Sequence, residues 1–242
     1  VPSPEFIQAI EIMAAMDIDA FVIGRKSPGL KLWRRYRGGD LFPLRDEADS
    51  IEVGCGVPKS LLDLIDFKAP DVYAEQALYL WPGFEGTFLQ CHLWDAYRFA
   101  AMLDVRQKRR LTGASGQLGS SNSPEESSIS LPSDVIVLTR GLSAIDAIYN
   151  GAVEHQAADS ALMNALLYPL YILTMQVVLS RQHENWYHLL EHWFHTEIER
   201  DRCANTQLAW EVIQDVLKQQ KQGRSGTPDE LASVIGNEVS LL

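Results

Sequence analysis

The sequence predicts an all-α fold: an irregular array of about eight or nine helices forming one domain, with a disordered serine- and glycine-rich insertion. Three observations point there. Apolar residues recur at three- and four-residue spacing along most of the chain. Hydroxyl, proline and acidic residues stand where those stripes begin. No stretch alternates apolar and polar residues between turn signals as a half-buried strand does. With 242 residues, 46% hydrophobic and 22% charged, the chain can bury a core without disulfides or metal.

Ser3-Pro4-Glu5 is a helix start, with a capping hydroxyl, proline at the first helical position and an acid near the positive dipole end. Phe6, Ile10, Met13, Ala14, Ile18, Phe21 and Val22 continue the stripe until Gly24. Residues 25–49 contain Gly29, Gly38, Gly39 and two prolines, which predicts a long irregular connection. A second helix starts near Pro58 and ends before Pro70; a third covers 71–81 and stops at Pro82-Gly83. A longer one begins at Thr87, with Phe88, Leu89, Leu93, Trp94, Tyr97, Ala101, Met102 and Val105 on its inner face.

The character then changes. Residues 112–131 hold seven serines and three glycines with almost nothing apolar, the composition of a flexible insertion. Helical pattern resumes from Pro132-Ser133-Asp134 to Glu154, and again over 159–181 with Pro169 as an interior kink. The apolar run 161–179 is broken by Asn164, Pro169, Thr174 and Gln176, so it reads as a core helix and not a membrane span. Further helices cover 183–202 and 205–221. Pro228-Asp229-Glu230 opens a short helix in an acidic-apolar tail, which has the composition of an activation helix and reads first as a final docking helix. The expected division is a helical body over 1–222 and a tail over 223–242.

Acids outnumber bases 32 to 21, a formal charge of −11, which argues against this chain wrapping nucleic acid by itself. The bases that exist are concentrated. Arg25, Lys26, Lys31, Arg34, Arg35 and Arg37 interleave with Trp33 and Tyr36 and have no acid among them. Such a loop neutralises acidic helices around it or, through Arg34, Arg35 and Arg37, meets phosphate or an acidic partner. Arg106-Gln107-Lys108-Arg109-Arg110 has the composition of a nuclear-localisation segment, and equally of a solvated helix end near the negative dipole.

Signals for chemistry are sparse. Cys55, Cys91 and Cys203 form neither a C-x-x-C pair nor an even set, and no phosphate loop or G-x-S-x-G elbow occurs. His183-Glu184 with His188 misses H-E-x-x-H, since a spacing of five turns the second imidazole about 140° around the helix. Glu184, His188, Glu191, His192, His195 and Glu199 still share an arc of roughly 100°. That arc is a solvated stripe; a metal held by His188, His192 and His195 for hydrolysis is the alternative. No enzyme is expected. Trp94, Tyr97, Tyr168, Tyr171 and Met175, on two long helices, are the residues that would line a cavity for a small apolar effector if they are not simply core.

The order of segments resembles a known family. Ile12-Met13-Ala14-Ala15-Met16-Asp17-Ile18-Asp19 is similar to the first helix of the fungal-specific transcription factor domain. This is the regulatory region found with six-cysteine binuclear zinc clusters. Val53-Gly54-Cys55-Gly56-Val57-Pro58 through Leu61-Leu62-Asp63-Leu64-Ile65 resembles its glycine turn into a leucine-rich helix. Leu93-Trp94-Asp95-Ala96-Tyr97-Arg98-Phe99 resembles its aromatic and arginine helix. Leu166-Leu167-Tyr168-Pro169-Leu170-Tyr171-Ile172 is similar to its proline-kinked helix, and Ala204-Asn205-Thr206 to Trp210-Glu211-Val212 to its closing segment. The resemblance spans most of 5–220; the zinc cluster is missing and the serine-rich insertion interrupts the pattern. It implies a nuclear, non-catalytic regulatory domain. DNA would be contacted, and zinc held, only by a segment absent here, the chain beginning at Val1 as a fragment of a longer protein. It further implies a small effector, a coactivator or repressor protein, or a second copy as partner.

Overall fold

The computed structural model describes residues 3–41, 50–66, 71–112, 130–155, 160–180, 184–201, 204–223 and 238–242. Most of the serine-rich insertion and most of the expected tail helix lie outside these residues. The fold is all-α. Its helices are α1 (Pro4–Met16), α2 (Leu32–Arg37), α3 (Lys59–Ile65), α4 (Val72–Leu80), α5 (Phe88–Leu111), α6 (Asp134–His155), α7 (Ser160–Asn164), α8 (Leu167–Ser180), α9 (Glu184–Asp201) and α10 (Ala204–Lys221).

Local chemistry sets the helix starts. Ser3 Oγ accepts from Phe6 N–H and Asp71 Oδ1 from Ala74 N–H, at 3.3 and 2.8 Å. Thr87 and Gln90 form a reciprocal capping box at the head of α5, satisfying donors that no helical turn reaches. Before α3 the chain doubles back through an Ile51–Pro58 bridge. Gly56 takes the turn at φ +69°, a region a side chain disfavours, and its carbonyl accepts from Trp94 Nε1–H at 2.8 Å.

Three elements differ from expectation. Residues 32–37, expected to be irregular, form α2, because its first N–H is capped from a distance: Asp17 Oδ2 accepts from Leu32 N–H at 2.9 Å, while Asp17 Oδ1 holds the approach through Leu30 N–H at 3.2 Å. The helix expected over 159–181 is two helices, α7 and α8, with a break at Ala165 and Leu166. Pro169 therefore sits in the first turn of α8 and not at an interior kink, where its missing N–H leaves no intrahelical bond unmade. Finally, Val239–Ser240 forms a strand, β2, where the end of a helix was expected. It pairs antiparallel with β1 (Val22–Ile23), Val22 opposite Ser240 and Ile23 opposite Val239.

α8 packs against α5, α6, α9 and α10. Every side chain from Leu167 to Val178 is buried, Thr174 and Gln176 included. The 162–180 stretch is long and apolar enough to cross a membrane, yet 89% of it lies inside the fold, as a core helix does. α6 crosses close to it at Gly141, where a Cβ would lie 2.9 Å from Leu173 Cδ2. One cluster of buried apolar side chains runs from Ala14 to Leu241. At its centre Phe21 meets Tyr168 edge-on at 4.8 Å and Tyr97 at 6.0 Å, geometries that suit the aromatic quadrupole.

Ion pairs add further joints between elements that share this core. Glu11 of α1, Tyr36 of α2 and Lys59 of α3 meet inside: Lys59 Nζ donates to Glu11 Oε2 at 2.8 Å, and the Tyr36 hydroxyl donates to the same oxygen. Arg106 of α5 donates to Glu75 Oε1 of α4 at 2.6 Å and to the Pro132 carbonyl at 2.6 Å. It also reaches Asp134, the first residue of α6.

Candidate functional site

The five residues singled out for a cavity lie on two facing helices and divide into two groups. Trp94, Tyr97 and Tyr168 are packed into the core. Each is at most 1% exposed, and the Tyr97 hydroxyl donates to the Ala165 carbonyl at 2.7 Å, satisfying an acceptor at the α7–α8 break. Burial pushes the hydroxyl pKa of both Tyr97 and Tyr168 well up, the neighbouring Cys55 adding to it for Tyr97 and Asp104 for Tyr168. Tyr171 and Met175 continue the same face of α8, one turn and two turns onward, and reach the floor of a cleft of about 600 Å³.

Four parts of the chain build that cleft. α8 gives Tyr171, Ile172 and Met175; the C-terminal half of α5 gives Asp104, Gln107, Lys108 and Leu111. The 19–31 segment contributes Ile23, Arg25, Lys26 and Lys31, and Leu241 closes the wall beside β2. The interior is mostly apolar and the rim is charged. Arg25 Nη1 lies 3.1 Å from Asp17 Oδ1 and 3.2 Å from Asp19 Oδ1, Lys31 also pairs with Asp19, and Lys108 Nζ lies 2.8 Å from Asp104 Oδ2. Lys31 holds its place from a left-handed backbone, φ 56°, a conformation uncommon for a side chain of its size. The strand β2 is itself tied to this segment: Leu241 N–H donates to the Phe21 carbonyl at 2.8 Å, and Lys26 N–H donates to Glu238 Oε1 at 2.8 Å.

The remaining basic residues face elsewhere. Arg34 donates from Nε to Asp66 Oδ2 at 2.7 Å and from Nη2 to the Asp66 carbonyl at 2.8 Å. Burial raises the Asp66 pKa, and the guanidinium offsets only part of that rise. Arg37 forks onto Asp63, whose Oδ1 also accepts from Trp33 Nε1–H; Arg35 is exposed. Two of the three thus fasten α2 to α3. The second basic run is likewise engaged: Arg106 and Arg109 pair with Glu75, and Arg106 and Arg110 with Asp134. The Glu75 pairs tie the end of α5 to α4, and the Asp134 pairs clamp it to the start of α6.

Asp134 makes that clamp pH-dependent. Burial pushes its carboxyl up, but hydrogen bonds from Arg110 and Arg106 outweigh that and hold it below the ordinary carboxylate value. A carboxyl whose folded pKa is depressed gives stability that is present above its unfolded pKa, about 3.9, and lost as pH falls through the folded value. Asp134→Asn is therefore expected to flatten the decline of unfolding free energy below about pH 5, read by urea unfolding at a series of pH values. A decline as steep as the wild type's would show that the depression has no thermodynamic weight.

His188, His192 and His195 are exposed on α9. His188 Nδ1 lies 3.5 Å from Glu191 Oε2, and the His195 ring stands edge-on to Trp210 at 5.5 Å. Among the described residues no three His, Cys, Asp or Glu side chains converge as metal ligands do. Of the three cysteines, Cys55 is buried and Cys91 exposed, and Cys203 lies outside the described residues. No protein-family model matches the chain, and no curated protein or solved structure shows significant similarity to it.

Of the five residues named from the sequence, Tyr171 and Met175 line the cleft, while Trp94, Tyr97 and Tyr168 do not. Sequence reasoning missed the rim. Asp19, Lys108, Leu111 and Leu241 come from segments far apart in the chain, and only the clustering of Arg25, Lys26 and Lys31 hinted at it.

Proposed function

We propose that this chain is a non-catalytic regulatory domain of a fungal zinc-cluster transcription factor, acting in the nucleus. It would control transcription through intramolecular, protein or small-effector contacts. In this reading DNA contact and zinc belong to a segment outside this chain. Five motifs in family order support the family assignment, and one structural observation supports the regulatory role. The cleft over Tyr171 and Met175 is walled by four segments distant in sequence, so anything bound there bridges the N-terminal segment, the α5–α8 core and the C-terminal strand. A ligand can shift a conformational equilibrium only through contacts that differ between states, and a site shared by separable segments supplies such contacts.

A protein partner is the second reading, favoured by α1. Phe6, Met13 and Met16 are each more than two-fifths exposed and share one side of that helix with Ala9 and Ile10. This is the kind of apolar stripe that a coactivator, a repressor or a second copy would cover.

A reporter tests the role. The chain fused to a heterologous DNA-binding module is expected to raise or lower transcription relative to the module alone, in a way that shifts with growth condition. Output identical to the module alone under every condition would remove the regulatory reading.

A further inference from the structure

We propose that the exposed stripe of α1 pairs with the same stripe of a second copy of this chain, antiparallel, in a two-fold symmetric dimer. The inference rests on the protein-partner form of the regulatory reading and names the partner.

The stripe is spaced as a helix-pairing seam. Phe6, Ala9, Met13 and Met16 follow one another at intervals of three, four and three, which keeps them in line along one side of a helix, as the a and d positions of a coiled coil are. All four are exposed, while Glu11, Ala14 and Ala15 bury the opposite side. The 52–56 turn flanks the seam: a Cβ on Gly54 would lie 3.2 Å from Ile12 Cγ1, which puts the exposed Val53 at its edge.

The order of side-chain sizes selects a second copy. A two-fold contact needs a surface that complements itself. Set antiparallel about the level of residue 11, the seam puts Phe6 against the partner's Met16 and Ala9 against the partner's Met13, and both layers recur on the far side of the axis. The first is a thioether on an aromatic ring, a favourable contact, and in the second the small Ala9 leaves room for an adaptable long side chain. A parallel pair would stack Phe6 on the partner's Phe6 and Ala9 on the partner's Ala9, a crowded layer followed by an empty one.

Charge agrees with this register. Each copy carries −11, so most approaches of two copies are repulsive. α1 has no base and two acids, Glu5 and Glu11, and Glu11 is buried against Lys59. The seam therefore presents a single carboxylate near one end. Antiparallel pairing separates the two Glu5 positions by about 18 Å along the axis, beyond the screening length of about 8 Å in physiological salt. A parallel pair would set them side by side. A helix of 13 residues gives an interface in the small class, below about 1,200 Å² in total, so a reversible dimer with a Kd on the order of tens of micromolar is expected.

Sedimentation equilibrium of the full chain from about 1 to 300 μM tests this, the average mass being expected to climb from one chain towards two. Ala9→Lys and Met13→Glu, each at an exposed position, are each expected to weaken association about tenfold or more by placing a charge in the seam. An equimolar mixture of the two variants is expected to regain most of the loss, because only the antiparallel register sets the new ammonium against the new carboxylate. Melting curves establish that each variant is folded. A single-chain mass at every concentration, or a mixture that associates no better than its components, would overturn the proposal. Met13→Glu in the reporter fusion separates it from the reading beneath it. A changed output with a chain that never dimerises removes the second copy and leaves a different protein on the stripe. A dimer broken by Met13→Glu with output unchanged keeps the dimer and removes the stripe's regulatory role.

Discussion

Replacing Arg106 by methionine is expected to lower the unfolding free energy by about 3–5 kcal/mol. The guanidinium is 6% exposed and the Glu75 carboxylate 2%, so removing one partner strands a charge away from water. Arg106 also carries the Pro132 carbonyl and Asp134, which means that α4, α5 and the start of α6 are loosened together. Arg109, 3.1 Å from Glu75, remains as a partial substitute and keeps the loss at the lower end. Arg106→Lys is expected to recover less than half of it, because an ammonium cannot reproduce the planar fork that addresses three acceptors. For a chain of this length each kcal/mol moves the midpoint by roughly 2–4 °C, so thermal unfolding should show a fall of about 10 °C. A fall of under about 2 °C would mean that the clamp is not a structural joint.

The second large effect is at the other end of the fold. Lys59→Met leaves the Glu11 carboxylate buried with the Tyr36 hydroxyl as its hydrogen-bond donor, and with Oε1 already lacking a partner. The expected cost is about 3 kcal/mol. The double variant Glu11→Leu with Lys59→Met removes both charges and should return to within about 1 kcal/mol of the wild type. Urea unfolding of the four members of the cycle reads this directly. A double variant as unstable as the single one would show that Lys59 acts through packing of its stem and not through its charge.

These two clusters explain where sequence reasoning stopped. The helices with local caps, at Ser3, Asp71 and Thr87, were legible because cap and helix are neighbours in the chain. α2 was not, since its cap, Asp17, lies fifteen residues upstream of Leu32 and its capping is a tertiary contact. The split between α7 and α8 was hidden because apolar composition runs through Ala165 and Leu166 without interruption; the break is held by Tyr97, from another helix. β2 was hidden for a related reason. A two-residue strand has no periodicity to detect, and Val239 and Leu241 are extended only because β1 and the Phe21 carbonyl receive them. Charge told more. The bases of 25–37 and 106–110 read as neutralising partners of acidic helices as readily as binding patches, and most of them do pair with acids.

The central claim is that the cleft over Tyr171 and Met175 is where this domain is regulated. The most direct test compares reporter output of the wild-type fusion with Leu111→Glu, at the mouth of the cleft, and Leu189→Glu, an exposed position on α9 that does not line it. The account predicts that Leu111→Glu changes the output several-fold while Leu189→Glu does not, with both proteins melting at the wild-type temperature. If both variants behave as the wild type, or both shift the output alike, the cleft is not the regulatory site.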